Sequence, residues 1–336
     1  MSGRGRLVLR CMRGRRPRCG EGGGLRTMKS LGTGFAVPGA LTQTVPAQWQ
    51  QLDYENILRT VVSLSFFGGG MPAATPRGVV IDGKYDGRWA ASYAGLTETD
   101  GTCLVVQGNM LFAGKAGGGV FASSDSGKSW TAKSYGLKNA VVRCIVVADG
   151  MLIAGTNAGV FMSVNYGDTW TEQNDGFESI EPVESLAWEN GRILSGTWDG
   201  VYSALADTRR WQRANTGLMK STAYVFAKTS AALLAGTNFG VFIRADSASF
   251  WKSSGLTRAK TVEALAATDS MCFAGTLGGG VYASINLGAS WWNAGLEDTK
   301  ISMLTFSDGF LYAGTIGSGL FRAAIDRFVP AIETLK

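Results

Sequence analysis

The chain has 336 residues, 45% hydrophobic and 17% charged, with 47 Gly, 5 Cys and no His. Without His there is no Ser-His-Asp triad, Cys-His pair or His-ligated metal site, and the five Cys include no C-x-x-C pair, so no metal and no cofactor is expected. The net charge of +6 belongs to residues 1–30, which hold nine Lys and Arg against Glu21 and leave −2 for the rest; the body makes no electrostatic case for nucleic acid.

In chain order, residues 1–39 are rich in Gly and Arg and poor in apolar side chains, which predicts a disordered basic tail or targeting segment. Four readings compete for it. Met28-Lys29 is an alternative start. From there, Leu31–Leu41 followed by Val45-Pro46-Ala47 resembles a signal peptide with a small-residue cleavage site, which points outside the cytoplasm. The basic, acid-poor character also suits organelle targeting, and a nucleic-acid arm is the fourth. No run approaches the roughly 18 to 20 apolar residues of a membrane helix.

The body, residues 47–325, repeats itself. Trp89, Trp130, Trp170, Trp211, Trp251 and Trp291 are 41, 40, 41, 40 and 40 residues apart. Gly114, Gly155, Gly196, Gly236, Gly275 and Gly314 recur at 41, 41, 40, 39 and 39, mostly within Ala-Gly-Thr. A period near forty with short apolar alternations predicts four-stranded propeller blades. In one unit, Val142–Ala148, Met151–Ala154 and Gly159–Ser163 read as strands, Asp149-Gly150 as a hairpin turn, and Thr169-Trp170-Thr171 as the outer strand. The repeat Gly lets adjacent sheets approach.

The ends decide the blade count. Residues 57–95 read as a degenerate first unit, with Phe66-Phe67-Gly68-Gly69 followed by an insertion, Gly70–Arg77. The last unit, Ile301–Ala324, has three strands and no following Trp, whereas Trp49 lies 40 residues before Trp89. The expected fold is therefore an all-β, seven-bladed propeller closed by an N-terminal strand near Ala47–Leu52 that completes the last blade. Residues 326–336 form a C-terminal extension, and a monomer is expected.

Three turns before the outer Trp match Ser-x-(Asp/Asn)-x-Gly-x-x-Trp: Ser123, Asp125, Gly127 and Trp130; Ser163, Asn165, Gly167 and Trp170; Ser284, Asn286, Gly288 and Trp291. Thr208 and Ala248 replace the Gly in two further units. This resembles the Asp-box, or BNR, repeat of sialidase-like propellers, a superfamily that also holds xyloglucan-cleaving glycosidases and photosystem II assembly factors. The resemblance implies a structural role for these residues, Asp or Asn capping turn amides and Gly supplying positive φ. It also implies that they face away from the functional side, which is built from the second-to-third-strand turns and the blade-joining loops.

The first set of turns contains Lys115, Asn157, Trp198-Asp199, Asn238-Phe239, Leu277 and Ile316. The joining loops bring Glu98, Lys138, Glu178, Glu181, Lys220, Arg258, Glu297 and Asp298. Trp198 and Phe239 are candidates to stack on a sugar or anchor a peptide. Twelve residues before each repeat Gly stand Thr102, Arg143, Glu184, Tyr224, Glu263 and Ser302, with Arg59 near the equivalent place, expected to ring the channel mouth. Opposed Arg and Glu groups there suit recognition of a charged or hydroxylated ligand. No catalytic residue is assigned: the sialidase motif does not match, and Glu184 and Glu263 lie in blades four and six, too far apart for one bond-cleaving pair. The expectation is a non-catalytic binding or assembly scaffold for a glycan or protein. Its alternatives are a sialidase-like hydrolase and a photosystem II assembly factor-like protein. Cys103, Cys144 and Cys272 read as small core residues.

Overall fold

The computed structural model describes residues 49–328 apart from 53–57, 69, 84–85, 97–99, 139–140, 219–220, 247 and 257–260. The tail, residues 329–336, Glu98, Lys220 and Arg258 lie outside the described residues.

β-branched and small apolar residues in runs of four to seven, punctuated by Gly turns, fold into seven four-stranded antiparallel sheets. The third blade shows the construction. Val142–Ala148 is innermost, followed outward by Met151–Thr156, Gly159–Ser163 and Thr171–Glu172. Asp149 and Gly150 join the first two strands with φ of 47° and 78°, the primed-turn conformation that suits strand twist. The innermost strands are Ser63–Leu64, Gly101–Gln107, Val142–Ala148, Val183–Glu189, Ala223–Lys228, Val262–Ala267 and Ile301–Ser307. Each touches the next, and the last touches the first, so the sheets stand in a ring. Beyond the strands, the described residues contain a single short 3-10 turn, Ile325–Phe328.

In the seventh blade, Ile301–Ser307, Phe310–Thr315 and Leu320–Ala324 share a sheet with Gln50–Gln51. Gln50 lies opposite Arg322 and Gln51 opposite Phe321. The Trp49 indole N–H donates to the Ala294 carbonyl of blade six at 2.9 Å. Other indoles make the same blade-to-blade bond: Trp170 to Lys133 O at 2.7 Å, Trp211 to Gln173 O at 2.7 Å and Trp251 to Ala214 O at 2.8 Å.

The core lies between sheets, and the repeat Gly sets its thickness. A Cβ on Gly155 would come within 2.5 Å of both Cys144 Sγ and Val183 Cγ1, the latter in the next blade. Gly114 and Gly236 are hemmed in the same way by Cys103 and Val142, and by Val225 and Val262. Cys103, Cys144 and Cys272 are buried thiols; burial pushes Cys144 upward and Cys272 up to about 11.

The first blade corrects one expectation. Met71–Thr75 is its second strand, not an insertion, and Phe67 and Gly70 pair across a turn. Ala74 takes the place of the repeat Gly, and Thr75 Oγ1 donates to Gly78 O at 3.0 Å, as Thr156 Oγ1 does to Gly159 O at 2.9 Å. Pro72 and the missing Gly disguise the strand in the sequence.

The turns before the outer strands are built alike. Gly127 N donates to Ser123 Oγ at 2.8 Å and Ser129 N to Asp125 Oδ1 at 2.9 Å. Gly167 N to Ser163 Oγ at 2.9 Å and Thr169 N to Asn165 Oδ1 at 3.0 Å repeat the pattern, as do Gly288 N to Ser284 Oγ at 2.8 Å and Ser290 N to Asn286 Oδ1 at 2.9 Å. Gly127 sits at φ 82°, which a side chain would resist. Trp130 and Trp170 pack beneath, buried.

Candidate functional site

Twelve residues before the repeat Gly, the innermost strand bulges. The pairing register of Val142 and Cys144 steps over Arg143, and the same step isolates Thr102, Glu184, Tyr224, Glu263 and Ser302. A bulged residue leaves the ladder and its side chain is re-aimed. The six positions do not remain equivalent. Thr102 Oγ1 donates to Val142 O at 2.7 Å and Ser302 Oγ to Val61 O, so these hydroxyls tie neighbouring blades together. Arg59 is not in the set: its backbone carbonyl accepts from Gly317 N at 2.7 Å, and the place in register belongs to buried Val62. The charged and aromatic members therefore occupy the arc of blades three to six.

Arg143 and Glu184 meet across the boundary between blades three and four. Arg143 Nη1 lies 3.2 and 3.1 Å from the two Glu184 oxygens, and Arg143 Nε donates to Asn157 Oδ1 at 2.5 Å. The Trp198 indole N–H donates to Glu184 Oε1 at 2.5 Å. Asn157 and Trp198 hold equivalent places in the second turns of their blades, 14 residues after the bulge residue each one contacts. The Glu184 side chain is 0% exposed and that of Arg143 12%, while Trp198 keeps 44% of its surface in solvent. The Asn157 and Trp198 bonds offset part of the cost of burying this ion pair. The result is an exposed indole with its N–H edge fixed from beneath.

Asp199, the other residue of that turn, pairs with Arg213, which also binds Glu178 at 2.7 Å and lies 5.3 Å from the Tyr202 ring centroid. That bond to Arg213 holds the Glu178 carboxyl below its ordinary range, and Lys138, followed by Asn174, does the same for Glu172.

The remaining candidates stand in the other blades. Asn238 Oδ1 accepts from Thr222 N at 3.0 Å, and half-buried Phe239 packs on the Leu218, Phe242 and Trp251 cluster of blade five, capping it. Tyr224 and Glu263, both half-buried, occupy their own bulges in blades five and six. Lys115, expected on the loop face, is 1% exposed with its ammonium 5.5 Å from the Phe121 ring centroid; it fills the Thr position at the end of its strand and does not present its charge. Sequence reasoning missed the pairing of Arg143 and Glu184 with their turn residues. The constant 14-residue interval, Arg143 to Asn157 and Glu184 to Trp198, was the signal.

No family model matches the sequence. No curated protein matches it. Solved structures do. The extracellular domain of the putative one component system BT4673 from B. thetaiotaomicron is similar at TM-score 0.71 and 13% identity, over 82% of this chain and 40% of that one. YCF48 bound to D1 peptide is similar at TM-score 0.67 and 16% identity, over 83% of this chain and 97% of that one. The GH74 xyloglucanase from Xanthomonas campestris follows at TM-score 0.63 and 14% identity, over 84% and 54%. This chain thus spans less than half of the BT4673 domain and about half of the xyloglucanase. Likeness at these identities carries the fold.

Proposed function

We propose that the chain is a non-catalytic binding or assembly scaffold whose ligand, a protein or a glycan, docks on the loop face around Trp198, Asp199, Arg143 and Glu184. The observation that carries this reading is the Trp198 indole, held through Glu184 by Arg143 and Asn157 yet 44% exposed. An aromatic fixed before its ligand arrives loses little freedom on binding. The likeness to YCF48 bound to D1 peptide supports a protein partner, and Asn157, Asn238, Phe239, Tyr224 and Glu263 extend the same face as secondary contacts.

The hydrolase alternative fits less well, because Glu184 is fully buried and its carboxylate is already engaged by Arg143 and Trp198. The Ser-x-(Asp/Asn)-x-Gly-x-x-Trp turns support kinship with the sialidase-like repeat without its chemistry. A location outside the cytoplasm belongs to the same proposal, with organelle targeting its alternative; no helix among the described residues is long and apolar enough to cross a membrane.

A combined array of peptides and oligosaccharides, read for both retention and cleavage, tests the reading. Ligand retained intact on the wild-type chain and lost with Trp198→Ala is the expected result. Released monosaccharide overturns it.

A further inference from the structure

We infer that the loop face of blade four takes a cationic side chain, Lys or Arg, from a basic segment of a partner protein, with Trp198 as its platform. The inference rests on the binding role proposed above and names the chemistry of the partner.

Charge favours a cation on this face. The loop leading into blade four, the start of that blade's innermost strand and its second turn carry Asp175, Glu178, Glu181, Glu184 and Asp199, with no Lys or Arg among residues 173–191. The cations that reach these acids come from other strands: Arg143 to Glu184 at 3.1 Å, Arg213 to Glu178 at 2.7 Å and to Asp199, and Arg210 to Asp175 at 3.9 Å. Five carboxylates against three guanidinium groups leave two negative charges on this sector among the described residues. Glu181 is held by the Ser179 hydroxyl at 3.3 Å. A residual negative field beside an exposed indole favours a cation over an anion.

The state of the indole acts in the same direction. Its N–H donates to a buried carboxylate, which shifts electron density into the ring and deepens the negative potential of its faces. Cations bind Trp through that potential, most strongly where water is excluded. Glu184 is itself screened from solvent, so it orients the ring without competing for the incoming cation.

Shape selects the source of the cation. Trp198 and Asp199 form a two-residue turn between Thr197 and Gly200, so the exposed indole sits on a short turn. Ile180 adds a second exposed apolar side chain, 54% accessible, in the loop leading into the same blade. An exposed indole and a second exposed apolar side chain on the same blade suit a polypeptide laid across it.

The test uses the full chain and three probe sets: short Lys/Arg-Gly-Ser peptides, their Asp/Glu counterparts, and neutral oligosaccharides. Binding is followed by fluorescence anisotropy at low and high salt. The basic peptides are expected to bind, and to weaken with salt. Trp198→Ala should weaken them about tenfold or more, and Trp198→Tyr by less, because a π face remains. Glu178→Lys with Glu181→Lys should weaken them with the platform intact, which covers misfolding of the Trp198 variants. Binding confined to acidic peptides or oligosaccharides, and lost with Trp198→Ala, overturns the cationic partner while the binding face stands. Binding of any probe that none of these variants alters, or no binding at all, removes both.

Discussion

Asp125 shows how a single side chain makes one of several near-identical turns distinct. It accepts from the Ser129 hydroxyl at 2.6 Å, the Ser129 amide at 2.9 Å and the Ser123 hydroxyl at 2.8 Å. Ser129 contributes most to holding its carboxyl down at about 2, from an ordinary 3.8. Asn165 and Asn286 likewise accept from the Thr169 and Ser290 amides, but their own uncharged amide nitrogens donate to the Thr169 and Ser290 hydroxyls. A depressed carboxyl pKa contributes stability that is present above the unfolded value and is lost as pH falls through the folded one. The acid-sensitive window of this turn therefore runs from about pH 4 down to about pH 2. Asp125→Asn should melt near the wild type at neutral pH and lose less stability across that window, as followed by circular dichroism. An equally steep loss in the variant would mean that the turn does not hold the carboxylate. The turn was legible in the sequence because Ser, Asp or Asn, Gly and Trp keep fixed intervals. The burial of Lys115 was not, since nothing local distinguishes a lysine that ends a strand facing another sheet from one in a loop.

At the scale of the strand, spacing between sheets is the controlling quantity. The repeat Gly is needed for room, because its neighbours come from its own blade and from the next. Gly155→Ala drives a methyl toward Cys144 and Val183, an overpacking worth about 1–3 kcal/mol. A domain of this size should then melt about 2–4 °C lower for each kcal/mol. Differential scanning calorimetry checks this, and an unchanged transition would show that the sheets give way easily. A second glycine series went unread. Cβ atoms on Gly95, Gly136, Gly176 and Gly217 would lie 2.0 to 2.3 Å from the carbonyl of the next blade's Trp. Their Gly-Leu or Gly-Phe pairs, six residues after each Trp, carry the signal. Where Ala74 stands for the repeat Gly, the strand itself was taken for an insertion. The site was half legible: counting back from Gly found Arg143 and Glu184, but the bulge that frees them, and the turn residues they grip, come from pairing register rather than composition.

Across the whole molecule, seven sheets stand face to face, and the apolar clusters between them draw residues from neighbouring blades, so no blade buries both faces alone. Ring architecture turns local bonds into a circuit: each indole that reaches the preceding blade links one sector to another, and Trp49 does so for the sector that would otherwise end in three strands. The two ends of the described chain meet inside the sheet of blade seven, through the facing pairs Gln50–Arg322 and Gln51–Phe321. A rigid ring also explains why a binding face can rest on two-residue turns, since the scaffold, rather than a mobile loop, fixes the position of Trp198.

The central claim is that residues next to Trp49 form the outer strand of the last blade. Opposed strand residues lie at a separation a disulfide can bridge. The direct measurement is therefore oxidation of the Gln50→Cys, Arg322→Cys double variant, followed by peptide mapping. Joined peptides carrying positions 50 and 322 within a single monomeric, more heat-resistant chain is the predicted result. Cysteines at 50 and 322 that stay reduced, or pair only between chains, would contradict the closed ring.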